Sequence, residues 1–263
     1  MKKVLTVAGS DSGGCAGIQA DIKTISSCGV FAMSAITAVT SQNTLGVTHI
    51  EELSKKSIRT QIEAVLSDIG ADAVKTGMLS SENIIYTVAE TFKDCKVKNY
   101  VLDPVMVASS GARLLQQSAI NALIKELIPL SRIITPNVLE AEVLAGIKID
   151  GEVTVKKACH IIREMGVKNV LIKGGHFSGE ESNDTLYDGK NFILFPSKRI
   201  DTKNTHGTGC TYSAAIASFL AKGYPLYDAV GYAKDYITKA ITSGAEYKIG
   251  KGNGPVDHFF CLR

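Results

Sequence analysis

The chain has 263 residues, 45% hydrophobic and 21% charged, enough apolar material for a sizeable core in one large α/β domain over residues 1–263. Its 29 basic and 26 acidic residues leave a net charge of +3, too small and too evenly spread to imply nucleic acid or an anionic membrane as a partner. No apolar run approaches the roughly 18 residues of a membrane span, and six widely spaced cysteines without a CxxC pair disfavour a zinc site and read as reduced thiols in the cytoplasm.

The first apolar run, at 4–8, is too short for a signal peptide. It leads into Gly9-Ser10-Asp11-Ser12-Gly13-Gly14 rather than a cleavage site, so it reads as a buried strand. Further strands are expected at 33–39, 73–76, 100–102, 132–135, 170–173 and 192–195, mostly apolar throughout, as strands covered on both faces are. Helical periods lie between them: Ile58, Ile62, Val65, Leu66 and Ile69 share one face, as do Tyr212, Ala215, Ile216, Phe219 and Leu220. Gly223 and Pro225 punctuate the end of that last helix. Alternation of this kind predicts a central, mainly parallel sheet with helices on both faces. Ligands bind such sheets beyond the carboxyl ends of the strands, so residues that follow strands carry the functional information.

After the first strand comes Ala8-Gly9-Ser10-Asp11-Ser12-Gly13-Gly14-Cys15-Ala16-Gly17-Ile18-Gln19-Ala20-Asp21, a strand, a glycine turn and a helix start. The spacing is not GxGxxG, and Thr40-Ser41-Gln42-Asn43 rather than an acidic residue follows the second strand, which argues against a dinucleotide fold. Asp21 falls on the first turn of the expected helix, where it favours the dipole. The side-chain amide of Gln42 can donate to one ring atom and accept from a neighbouring amino group, which suits a pyrimidine edge; a polar loop is the other reading. Asp103 and the segment Asn137-Val138-Leu139-Glu140 also follow strands, and their carboxylates are candidate Mg²⁺ ligands, directly or through water. Lys173, at the end of a later strand before Gly174-Gly175-His176, could place a cation near phosphates; taken singly, a cap, a turn and a surface lysine are the favoured readings of these three sites.

The strongest local signal is Asn204-Thr205-His206-Gly207-Thr208-Gly209-Cys210-Thr211, which opens an amphipathic helical period. Gly207 and Gly209 let the backbone approach a ligand, and the unpaired N–H groups and dipole of a helix start make an anion site. No Gly-Lys-Ser/Thr follows, so this is not a Walker A loop. A thiol at such a helix start is expected to have a lowered pKa and to be partly thiolate, so Cys210 reads as a base or nucleophile; a small buried filler is the alternative.

Taken together, AGSDSGGCAGIQADIKT, SQNT, KTGML, LDPVMVASSG, TPNVLEAEVL, LIKGGH and NTHGTGCTYSAAIA resemble, in order and spacing and over nearly the whole chain, the hydroxymethylpyrimidine/phosphomethylpyrimidine kinases of the ribokinase superfamily. The resemblance implies a ribokinase-like fold, usually in a homodimer. It also implies Mg²⁺-dependent transfer from ATP, first to 4-amino-5-hydroxymethyl-2-methylpyrimidine and then to its monophosphate, in thiamine biosynthesis. Position by position it implies Gly9, Ala16, Asp21, Gln42 and Met78 as pyrimidine contacts, and Gly207, Thr208 and Gly209 as an anion hole. Cys210 falls where most ribokinase-type enzymes carry an aspartate base. Asn137 and Glu140 match the NxxE motif that organises Mg²⁺, with Asp103 beside it, and Lys173 and Asp184 fall on the nucleotide side. Two positions depart from the family: Cys15 replaces a usual glycine, and Ser109, in an expected flap, replaces a common lysine. Relatives with the same GTGC helix phosphorylate pyridoxal or pyridoxine, and Gln42 is the discriminator. A pyrimidine-binding sensor on a kinase fold would have lost Asp103, Glu140 or the GTG loop, all of which are present.

Overall fold

The computed structural model describes residues 1–106, 115–175 and 179–262. Ser109 and His176 lie outside the described residues. In chain order the elements are β1 (Lys3–Asp11), α1 (Gly17–Ser27), β2 (Phe31–Gln42), β3 (Val47–Glu52), α2 (Lys55–Asp68), β4 (Ala73–Thr76), α3 (Glu82–Asp94), β5 (Tyr100–Leu102), α4 (Gln117–Ala122) and β6 (Ile133–Ile134). Then follow α5 (Val138–Ala145), α6 (Glu152–Glu164), β7 (Asn169–Ile172), β8 (Asp184–Tyr187), β9 (Phe192–Phe195), α7 (Thr208–Ala221) and α8 (Leu226–Gly244).

The strands form one sheet in the order β3-β2-β1-β4-β5-β6-β7-β8-β9. The run from β2 to β7 is parallel; β3 pairs antiparallel with β2, and β8 and β9 extend the other edge antiparallel. Chain direction across the sheet reverses at β1, whose neighbours are β2 on one side and β4 on the other. That reversal opens a crevice beyond the carboxyl ends of β1 and β4, the usual place for a ligand in such sheets.

Neighbouring residues on each strand feed opposite cores, as the pleat dictates. Val4, Ala73, Val101, Ile133 and Leu171 pack with α7 and α8 on one face. Leu5, Val74, Leu102, Ile134 and Val170 pack with α2, α3, α5 and α6 on the other. Each fully buried Leu or Ile contributes about 1.5–3 kcal/mol relative to exposure, so the central strands are held from both sides.

Two strands were not expected and three expectations are corrected. β3 and β8 have no apolar run to announce them: VTHIEE is an edge strand with mostly exposed side chains, and DTLY begins with a buried aspartate. Ile69 caps α2 at 41% exposure instead of joining its buried face, because the helix ends one residue earlier. The helix after Gly207 is not amphipathic; α7 is wrapped by α1, α8 and the sheet and is buried almost all round. Since α1 begins at Gly17, Asp21 lies in its second turn, where it is fully buried rather than complementing the helix dipole.

Candidate active site

The carboxyl ends of β1, β2, β4, β5 and β7 and the start of α7 converge. Gly207 is the N-cap of α7 and takes the left-handed conformation, φ +83°. A Cβ there would stand 1.8 Å from the Cys15 carbonyl oxygen, so only glycine lets the loop before α7 lie against the loop after β1. The first turn leaves N–H groups without intrahelical acceptors and concentrates the positive end of a 14-residue helix; the Thr208 N–H donates back to Thr205 O at 3.2 Å.

Behind that turn sits a charged cluster. Asp103 follows β5 and is 1% exposed. It accepts from Ser213 Oγ at 3.0 Å, from Lys173 Nζ at 3.2 Å and from Thr135 Oγ1 at 3.4 Å. A Cβ on Gly209 would lie 3.4 Å from Lys173 Nζ, so the lysine points at the helix start. Burial pulls the Lys173 ammonium down, yet the carboxylates of Asp103 and Glu140 outweigh it and hold the pKa above the ordinary value. Glu140 is buried, and that burial, with Asp103 nearby, pushes its carboxyl above the usual carboxylate range despite Lys173. Asn137 and Glu140 also form a reciprocal cap on α5: Glu140 N donates to Asn137 Oδ1 at 2.9 Å, and Asn137 N donates to Glu140 Oε2 at 2.8 Å.

Cys210 is 9% exposed. Burial pushes its thiol up to about 11; Lys75 pulls it down, while Asp21 and Asp103 push it further up. The expected lowering is therefore corrected, because desolvation and two carboxylates outweigh the helix end and the lysine. Lys75 is the unexpected member. It is wholly buried on β4, with Nζ 2.9 Å from each Asp21 carboxylate oxygen. Its own burial opposes the charge, but Asp21 first, with Asp103, holds it protonated.

The remaining ring-side positions meet across the crevice. Gly9 is open to Met78, whose Cε would be 2.6 Å from an added Cβ. Ala16 caps α1 and donates its N–H to Asp11 Oδ2 at 2.8 Å. Gln42 ends β2 half-buried; its Nε2 is 2.9 Å from His206 Nε2, and its Oε1 accepts from Thr40 at 3.2 Å. Burial lowers the His206 pKa, so the ring is neutral and its Nε2 accepts from the Gln42 amide, which fixes the orientation of that amide. Asp21 has no exposed surface, and both its oxygens are engaged by Lys75 and Thr6. Asp184 stands apart: it accepts from Gly174 N at 2.9 Å and pairs with Lys234 at 2.7 Å, which fastens the turn after β7. Sequence reasoning passed over Lys75, Asp11 and His206, although a lone lysine inside an otherwise apolar strand was a visible signal.

A family model described as phosphomethylpyrimidine kinase matches residues 11–257. A protein of Rhizobium meliloti named hydroxymethylpyrimidine/phosphomethylpyrimidine kinase is 48% identical over 97% of this chain and 96% of its own length. The crystal structure of a phosphomethylpyrimidine kinase from Clostridium difficile is 48% identical, with TM-score 0.83 over 92% of this chain and 100% of that one. An ADP complex of Bacillus subtilis pyridoxal kinase is 38% identical, with TM-score 0.92 over 100% of this chain and 99% of that one. With this ribokinase-like sheet and this convergence of strand ends on the start of α7, the chain belongs to the phosphomethylpyrimidine kinase family.

Proposed function

We propose that this chain transfers the γ-phosphoryl group of ATP to the hydroxymethyl group of 4-amino-5-hydroxymethyl-2-methylpyrimidine and then to the resulting monophosphate, in thiamine biosynthesis. The observation that carries this is the full-length likeness, at close to half identity, to proteins named for that pair of reactions. Gln42 reads the aminopyrimidine edge, with Gly9, Ala16 and Met78 shaping the ring pocket and Asp21 acting from behind through Lys75.

Phosphoryl transfer asks for alignment and charge neutralisation more than covalent help. The backbone N–H groups at 207–210 take the transferring phosphoryl, and Lys173 adds a cation beside them. Asp103 and Glu140 fit Mg²⁺: they are hard oxygen donors, and Glu140, whose carboxyl is raised first by burial and then by Asp103, would regain its charge beside a cation. When bound, Mg²⁺ neutralises phosphate charge. Asn137 holds Glu140 in place through the α5 cap. Asp184 serves the nucleotide side indirectly, by fixing the Gly174 turn. Cys210, protonated at rest, takes the proton of the substrate alcohol only from its minor thiolate form, after its own proton has passed to solvent.

We place the protein in the cytoplasm as a homodimer, in keeping with its free thiols and with the family expectation. No helix among the described residues is long and apolar enough to cross a membrane. The whole-chain superposition on pyridoxal kinases favours pyridoxal phosphorylation as a second activity. ATP consumption measured side by side with the aminopyrimidine, its monophosphate, pyridoxal and pyridoxine tests both readings. Turnover of the first two above the others is expected; turnover of pyridoxal alone would overturn the main one.

A further inference from the structure

We infer that Asp11, Cys15 and His206 form a binding site for a thiophilic divalent cation of the zinc class, and that filling it withdraws His206 from Gln42. The cation is distinct from the Mg²⁺ of phosphoryl transfer. One oxygen of Asp11, the Cys15 sulfur and a His206 ring nitrogen all lie within 4.8 Å of one another. His206 Nε2 and Asp11 Oδ2 are 4.0 Å apart. The three residues are 2%, 2% and 5% exposed.

Two loops distant in sequence deliver these donors, so cysteine spacing gave no hint of the site. They cannot drift apart freely, because the Gly207 backbone is seated against the Cys15 carbonyl. Tetrahedral zinc has bonds of about 2.0–2.3 Å, which puts donor pairs roughly 3.3–3.7 Å apart. Each donor therefore has to close in by no more than about 1 Å. The Nε2 of His206 accepts from the Gln42 amide at 2.9 Å and lies 4.0 Å from Asp11 Oδ2, so a cation in the cluster takes over the lone pair that Gln42 now holds. The Cys15 sulfur has one long contact, 3.5 Å to Gly13 O, and gives it up on losing its proton to solvent. The Asp11 carboxylate is already aimed by N–H groups of Gly13 at 2.8 Å, Cys15 at 2.9 Å and Ala16 at 2.8 Å, the outer-shell support that a ligating carboxylate needs. Carboxylate, thiolate and imidazole together cancel a divalent charge in a buried place, and sulfur with nitrogen selects zinc over magnesium. Water or the Gln42 amide oxygen completes the fourth position. Cys15 is the position at which the resemblance implies a glycine, so the site rests on a thiol that the expected family pattern lacks.

The effect on turnover rests on the reading of Gln42 as the ring contact; the site itself does not. Metal-free full-length protein, without substrate or nucleotide, is titrated with Co²⁺. One equivalent should give tetrahedral visible bands and a near-ultraviolet thiolate-to-cobalt band, both abolished by one equivalent of Zn²⁺. Cys15→Gly should lose the thiolate band, His206→Gln should lower cobalt affinity by at least about 10- to 100-fold, and Cys210→Ala should keep both signals. A wild-type protein without the thiolate band, or a band that survives Cys15→Gly, overturns the site. In the kinase assay, Zn²⁺ should raise the KM for the aminopyrimidine more than that for ATP, reversibly with EDTA, and should spare Cys15→Gly, whose basal activity is unchanged. Cobalt binding without that KM effect overturns the withdrawal of His206, and the spectra stay readable even if the aminopyrimidine is not the substrate.

Discussion

Lys75 Nζ lies 2.9 Å from both carboxylate oxygens of Asp21, and neither side chain has any exposed surface. Removing one partner of a buried pair strands the other charge, at a cost of about 3–5 kcal/mol. Lys75→Met and Asp21→Asn should each lower stability by that order in urea denaturation. Lys75→Met combined with Asp21→Asn should cost less than the sum, since no charge is left behind. Strict additivity would show that the two groups do not depend on each other.

The Gln42–His206 hydrogen bond makes ring recognition testable. Gln42→Met removes a donor and an acceptor at a half-buried position, and a lost paired contact costs about 1–3 kcal/mol. The preference for aminopyrimidine over pyridoxal, taken as a ratio of kcat/KM, should fall roughly 5- to 150-fold. An unchanged ratio would remove Gln42 from ring discrimination. His206→Asn, which frees the Gln42 amide to turn, should shift the same ratio in the same direction by less.

The central strands were legible because burial on both faces writes an apolar run into the sequence; 73–76 and 100–102 match β4 and β5 residue for residue, and 192–195 matches the edge strand β9, whose apolar run stands although only Phe195 is buried. β3 was not, because an edge strand with solvent on its side chains carries no such mark. Glycine positions such as Gly207 were legible through their spacing, although the clash with Cys15 that enforces glycine is a tertiary fact. The state of Cys210 was illegible for a different reason. Sequence shows a helix start, which lowers a thiol pKa, but not the burial and the flanking Asp21 and Asp103 that raise it.

Glu140 has two duties that one substitution separates. Glu140→Gln keeps an oxygen for the Asn137 N–H and so preserves the α5 cap, while it removes the charge proposed to hold Mg²⁺ or its water. Turnover should fall with the KM for the aminopyrimidine little changed, and the loss should be greatest at limiting Mg²⁺. Melting temperature should move little. Wild-type turnover at limiting Mg²⁺ would leave Glu140 as a helix cap alone.

Cys210 gives the sharpest test, because its burial and its proposed duty pull in opposite directions. With the thiol pushed from 9.0 up to about 11, the resting side chain is protonated at neutral pH. Its alkylation by iodoacetamide, followed in a Cys15→Gly background, should keep accelerating above pH 9 and should slow when the aminopyrimidine is bound. The linked stability has a definite sign. Folding raises this pKa, so the native state holds the proton more tightly than the unfolded chain. Its contribution is complete below pH 9 and is lost as pH rises through about 11. A thiol protonated at rest accepts the substrate proton only after losing its own to solvent, so only the minor thiolate form acts as base and its share of catalysis belongs at the low end of the roughly 10²–10⁴-fold typical of proton transfer. Cys210→Ala should lower kcat by that amount and leave ATP affinity nearly intact, since the anion hole is backbone. Cys210→Asp, which supplies a carboxylate base at the same helix start, should recover part of the loss. Full activity in Cys210→Ala would reduce the residue to packing and leave catalysis to the anion hole, Lys173 and the metal.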